Sequence, residues 1–174
     1  MKKFITPAVL CIVISVIFGT IYTSDQYILR SSANDPLIQL AEDTANKLNH
    51  GAAPSTLLLP QIDAASSLAP FIVIYDLNGE QSATSTNYHD SPLRSIPKGV
   101  LTSMTTGHHA VTWQPEFDVR LASITVKAEN HYVVAARSLR ETENRISTLA
   151  KIVAFGWVIT LIITALLYWL YKKK

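Results

Sequence analysis

The chain has a single cysteine in 174 residues, Cys11, and it falls inside an apolar stretch. The remainder therefore has no disulfide, which excludes a small cross-linked scaffold and requires a domain held by its own packed core. No Asn-x-Ser/Thr sequon occurs, so there is no N-glycosylation acceptor. Missing too are a Gly-x-Ser-x-Gly elbow, a phosphate-binding glycine loop and a His-Glu-x-x-His pair. Without any of these, no catalytic residue can be nominated, and neither enzyme activity nor a cofactor is expected. The basic residues form no stripe interleaved with aromatics, so nucleic acid is not an expected partner. His50, His89, His108, His109 and His131 are not spaced as ligand pairs. Adjacent His108 and His109 point to opposite faces of a strand, so no metal site is expected.

The longest absence is of charge. Residues 4–22 and 152–171 contain no Asp, Glu, Lys, Arg or His. As helix these stretches span about 28–30 Å, the thickness of a bilayer core. A buried soluble helix is the competing reading, but such helices seldom lack a polar face over five turns. Pro7 falls in the first turn of the first stretch, where its missing N–H has no intrahelical partner anyway. That first stretch also begins as a secretory signal does, with Met1-Lys2-Lys3. It is longer than an ordinary signal core, however, and no small-x-small cleavage pair comes after it, which favours an uncleaved anchor.

Charge asymmetry sets the expected orientation. Lys2 and Lys3 precede the first stretch, and Lys172, Lys173 and Lys174 follow the second. The positive-inside rule then puts both termini in the cytoplasm, with Tyr168, Trp169 and Tyr171 as an interfacial belt. All 13 acidic residues lie between the stretches, against 10 basic ones, so that part has three excess negative charges. The expected organisation is an anchor over 1–23, an extracytoplasmic domain over 24–150 and a second span with a short lysine tail over 151–174. The expected location is a bacterial inner membrane, crossed twice.

Within the central region, Asn34-Asp35-Pro36 reads as a helix start, and Leu37, Leu40, Ala41, Ala45 and Leu48 recur on one helical face. His50-Gly51 ends that helix, and Pro54, Pro60 and Pro70 break up the chain over the next twenty residues or so. The run Phe71-Ile72-Val73-Ile74-Tyr75 predicts a strand buried on both faces, turned back by residues 76–79. A polar strand over 81–86 and a short helix over 97–104 come next. Strands are then expected over 110–114, 119–127 and 132–139, joined by connections short enough for antiparallel neighbours. Ser138-Leu139-Arg140-Glu141 has capping-box spacing, and from it one helix would continue directly into the second span.

That element order, the two bracketing spans and the strand-turn Ile72-Val73-Ile74-Tyr75-Asp76-Leu77-Asn78-Gly79 resemble the single-Cache, PAS-like sensor domains found outside the membrane in bacterial histidine kinases and chemoreceptors. The resemblance covers roughly residues 24–150. It implies an α+β fold: a five-stranded antiparallel sheet with a long N-terminal helix, flanked by two transmembrane helices. It also implies a domain that binds a small molecule or a protein. Such sensors normally continue into an output domain, whereas here three lysines come after the second span. Signalling through a separate membrane partner, or through a homodimer, is therefore expected.

Four residues are candidates for binding. Arg120 shares the even face of strand 119–127 with Ala122, Ile124 and Val126, where a guanidinium can hold a carboxylate bidentately. A rim arginine paired with Glu116 or Asp118 is the plainer reading. Arg137 alternates with Val133 and Ala135 and is a candidate for the same pocket, against a surface pair with Glu141. Tyr75 and Trp113 are aromatics with a polar tip, suited equally to a ligand pocket or to a core. The competing function is a structural or assembly protein that uses the PAS-like domain as an interaction module. It predicts a sheet face packed by the chain's own side chains.

Overall fold

The computed structural model describes residues 2–104 and 107–173, with side chains from residue 7 onward in the first helix. The side chains of Lys2 and Lys3, and the whole of Lys174, on which the expected orientation partly rests, lie outside the described residues. The order is α1 (Lys2–Asn49), a 3-10 turn (Pro54–Leu57), β1 (Ile62–Asp63), β2 (Phe71–Asp76), β3 (Gln81–Thr84), β4 (Thr86–Asn87), α2 (Lys98–Thr102), β5 (His108–Glu116), β6 (Val119–Lys127), β7 (His131–Ser138) and α3 (Arg140–Lys173). The chain forms two compact units. One contains residues 1–30 and 142–174, the other residues 31–141.

The second unit is α+β. Its five-stranded antiparallel sheet has the order β3-β2-β7-β6-β5, and β1 and β4 form a separate parallel pair. The layout is compatible with a PAS/Cache-like domain. The three central strands are buried on both faces, as continuous apolar runs require. On one face Ile72, Ile74, Ile124, Val133 and Ala135 pack against Ala33, Leu37, Ala41, Ala45 and Leu48 of α1. On the other, Phe71, Val73, Tyr75, Leu121, Val134 and Ala136 pack against Leu93, Ile96, Leu101 and Met104.

The expected helix start at residues 34–36 is not there, because α1 runs through Pro36 without interruption. An interior proline costs about 3 kcal/mol by removing one N–H and crowding the preceding turn. Pro36 turns to solvent, while Ala33, Leu37, Ala41, Ala45 and Leu48 form one stripe buried on the sheet. Each buried leucine contributes about 1.5–3 kcal/mol, so the stripe outweighs the break. The helix ends at Gly51, whose φ of +87° suits a residue without Cβ. There Gly51 N–H donates to Leu48 O and Ala52 N–H to Lys47 O, satisfying the last carbonyls.

The β2–β3 turn is organised by Asp76, whose Oδ1 accepts from Asn78 N (2.9 Å) and Glu80 N (2.8 Å). The hydrogen bond from Glu80 N, with those from Asn78 and the charge of Lys98, holds this carboxyl below its ordinary value. Gly79 has φ +76°, and a Cβ there would meet Lys98 Cγ at 3.2 Å. At the opposite corner, the Arg140 guanidinium donates to Ala65 O (3.3 Å) and Ser66 O (2.8 Å). Ser138 Oγ accepts from Arg140 N at 3.2 Å. The serine of the expected capping box thus accepts the first N–H of α3, two residues ahead of it.

The first unit consists of the two apolar helical segments. Both helices are long and apolar enough to cross a membrane, and almost none of either apolar window is buried. Val9, Ile12, Val16, Ile152, Phe155 and Leu167 are among the exposed side chains. Trp157 Nε1 donates to Ser15 Oγ at 3.0 Å, and a Cβ at Gly156 would lie 3.1 Å from Phe18 Cε1. The small residues Ser15 and Gly156 therefore bring the two segments together, as small residues do between helices in lipid. Beside them lies an apolar groove of about 350 Å³ that includes Gly19, Ala150 and Ala154.

Leu37→Ala empties a fully buried position and is expected to lower unfolding free energy by about 2–5 kcal/mol, while Gln39→Ala on the exposed face changes it by no more than about 0.5 kcal/mol; denaturant titration of the full chain in detergent reads both. Because the folded-state value of Asp76 is depressed, its contribution is present above the ordinary carboxylate value and lost as pH falls through the folded one. Asp76→Asn is accordingly expected to flatten the acid limb of a thermal-midpoint profile below about pH 4.

Candidate functional site

The register distributes the four candidate residues over two faces. Tyr75 lies opposite Tyr132 and Trp113 opposite Leu121, and all four belong to the face covered by Leu93, Ile96, Leu101 and Met104. Arg137 lies opposite Ala122, which packs towards α1, and Arg120 alternates onto that same side. The structure thus brings Tyr75 and Trp113 together on one face, and Arg120 and Arg137 on the other. It does not gather the four into one pocket.

Tyr75 is 1% exposed, and its Oη accepts from Ile96 N at 3.4 Å. Burial raises the phenol above its ordinary value, against the opposing effects of that bond and one to Ser95. The hydroxyl is therefore occupied in fastening the covering segment to the sheet. Trp113, 8% exposed, packs in the same cluster. Both aromatics are core residues in this structure, and the chain's own side chains fill the face on which they lie.

Among the described residues three buried polar side-chain atoms have no hydrogen-bond partner: Asn87 Oδ1 in β4 and two atoms on the five-stranded sheet. Thr125 Oγ1, in a residue with no exposed surface, belongs to the Tyr75 face, since Thr125 lies opposite Val134. Arg137 Nε is the other, on the α1 side. Leaving such a group unsatisfied costs about 1–3 kcal/mol. Arg137 is half-buried and Arg120 is exposed. They sit on adjacent strands, two residues apart in register.

A further cluster escaped sequence reading because its members come from distant segments. Asp63 accepts from Ala65 N (3.0 Å) and His89 N (3.2 Å), and His89 Nδ1 lies 3.7 Å from its carboxylate. The Ala65 bond leads among the causes that hold Asp63 below the usual carboxylate range. Tyr88 Oη donates to Asp118 Oδ1 at 3.1 Å. Partial desolvation, followed by Asp118, Glu116 and Asp63, raises that phenol. Arg94 Nε approaches Glu116 at 3.9 Å. The turn is held by His89 and Asp90, both with positive φ (45° and 62°). The only local signal was the Asn-Tyr-His-Asp-Ser-Pro composition of the loop, which marks a turn but not its partners. Among the described residues, no group of three or more His, Cys, Asp or Glu is arranged to hold a metal ion. The cluster therefore fastens the β1 corner and the 88–91 turn to the β5–β6 hairpin.

No protein-family model, curated protein or solved structure matches the chain. The two sheet faces accordingly carry the functional reading. Thr125→Val removes the orphan hydroxyl while keeping the side chain's shape, and is expected to raise unfolding free energy by about 1–3 kcal/mol. Calorimetry of the full chain in detergent reads this, and a loss of stability would mean that the hydroxyl has a partner in solution.

Proposed function

We propose that the chain is a membrane-anchored interaction module: a PAS/Cache-like domain outside the cytoplasm that binds another envelope protein, with a binding rather than a catalytic role. The observation that carries this reading is the filled sheet face. Leu93, Ile96, Leu101 and Met104 cover it, and Tyr75 uses its hydroxyl to hold that cover in place. A small-molecule sensor needs a concave, largely preformed pocket, whereas a module that docks by its surface is served by a rigid, closed interior. Two spans then keep the module at the membrane surface, with both termini cytoplasmic, where a membrane-embedded partner is within reach.

Thr125 Oγ1 favours a second reading, in which a small ligand displaces part of the covering segment and bonds that hydroxyl. The two are separated by one experiment on the full chain in native membranes. Photocrosslinkers placed singly at exposed positions on each face and edge are expected to give a discrete adduct with one other protein, confined to adjacent positions. A metabolite panel is expected to leave the thermal midpoint unchanged. The sensor reading prevails if a metabolite raises the midpoint and Thr125→Val abolishes the rise; the interaction reading falls if no position gives a discrete adduct.

A further inference from the structure

The two edges of the five-stranded sheet are unequal. The β3 edge is four residues long, and the 3-10 turn Pro54–Leu57 packs against it. The β5 edge is nine residues long, with no Asp, Glu, Lys or Arg from His108 to Gln114 and its proline delayed to Pro115; at its start His108 Nδ1 lies 3.5 Å from Glu42 Oε1 of α1. The register of β5 on β6 is unbroken from His108 to Trp113, and the only irregularity comes after it. Exposed edges are usually blunted by lysine, proline, a bulge or a covering loop. Along 108–113 none of these devices is present among the described residues.

Hydrogen-bond parity identifies which groups face outward. Leu139 N donates to Arg120 O, and Ala128 N to His131 O. In the β6–β7 register these bonds make the even residues of β6 the ones bonded to β7. The odd residues of β6 therefore bond to β5, through Thr125–His109, Ser123–Val111 and Leu121–Trp113. Ser123 Oγ, which donates to Val111 O at 2.8 Å, agrees with that carbonyl facing β6. The N–H and C=O groups of His108, Ala110 and Thr112 then point away from the sheet, and no hydrogen bond to them is found among the described residues. The side chains of all three are exposed.

We infer that the free edge of β5 is a docking site for an extended segment of another protein, which adds as a sixth strand through the backbone groups of His108, Ala110 and Thr112. Alternating outward donors and acceptors match only an extended backbone. The small or uncharged side chains of Ala110, Thr112 and Gln114 select an uncharged segment with small or β-branched residues facing them. A second copy of this chain is the poorer occupant. Symmetric pairing of β5 with itself is antiparallel, and it places the two exits from β7 into α3 at opposite ends of the joined sheet. One bilayer has to receive both.

This inference rests on the interaction reading and names its surface. The test uses the full chain in nanodiscs and a labelled, uncharged heptapeptide of Ser, Thr and Val, alongside the same peptide N-methylated at alternate residues. Thr112→Pro deletes an outward N–H and spares the bonds to β6, so the fold should survive with an unchanged thermal midpoint. Saturable binding to the unaltered chain is expected, weakened about tenfold or more by Thr112→Pro and by N-methylation in one of the two alternate phases. The inference is overturned if the peptide does not bind, if it binds the variant equally, or if the unaltered chain is a dimer that Thr112→Pro dissociates. If discrete photocrosslinks map to another face while β5 stays silent, the edge assignment fails and the interaction reading stands.

Discussion

Everything in the domain depends on a sheet that is apolar on both sides. β2, β7 and β6 carry buried residues at nearly every position, so neither face can be left to water. One cover is α1, a single stripe at three- and four-residue spacing. The other is the irregular segment over 88–104, whose regular structure is limited to α2. A helix can cover a sheet with backbone groups satisfied internally, whereas an irregular cover has to be fastened at points. Tyr75 Oη on Ile96 N and the Tyr88–Asp118 bond are two such fastenings. The polar contacts of the domain are best understood as clamps on its less regular side.

Covering both faces leaves the edges as the places where the chain's backbone is unsatisfied. The asymmetry between a short, covered β3 and a long, bare β5 is thus a consequence of topology. β3 returns tightly from β2 and is followed by chain that has to reach β4. β5 leaves by the hairpin to β6, and among the described residues no strand pairs with its other side.

Much of this was legible in the residues. An unbroken β-favouring run located β2, turn segments on either side located β6, and the absence of charge located both apolar helices, because each signal is local. Alternation grouped Arg120 with Ala122 and Ile124, and Arg137 with Val133 and Ala135, within their own strands; the register of Ala122 opposite Arg137 is what puts both arginines on one side. Other features depended on distant partners. Pro36 looked like a helix start because the sheet that compensates for it lies in later sequence. That Tyr75 and Trp113 share a face opposite to the arginines comes from the phase between strands, which alternation within each strand does not fix. The two-residue strands β1 and β4 are defined only by each other, and the Asp63, Tyr88 and Asp118 cluster joins three segments with no common motif.

The pairing of β2 with β7 also has a consequence for biogenesis. Phe71 lies opposite Ala136, and the stripe of α1 packs on residues from β2, β6 and β7 together. During synthesis α1 therefore emerges with an apolar stripe that is not fully covered until the last strand is made, and β2, paired early with β3, waits for the same event on its other edge. β7 is followed almost at once by α3, so completion of the sheet coincides with delivery of the second apolar helix. Until then the nascent domain is incompletely covered on both faces, which makes the interval between synthesis of the two apolar helices its period of greatest exposure to aggregation and proteolysis.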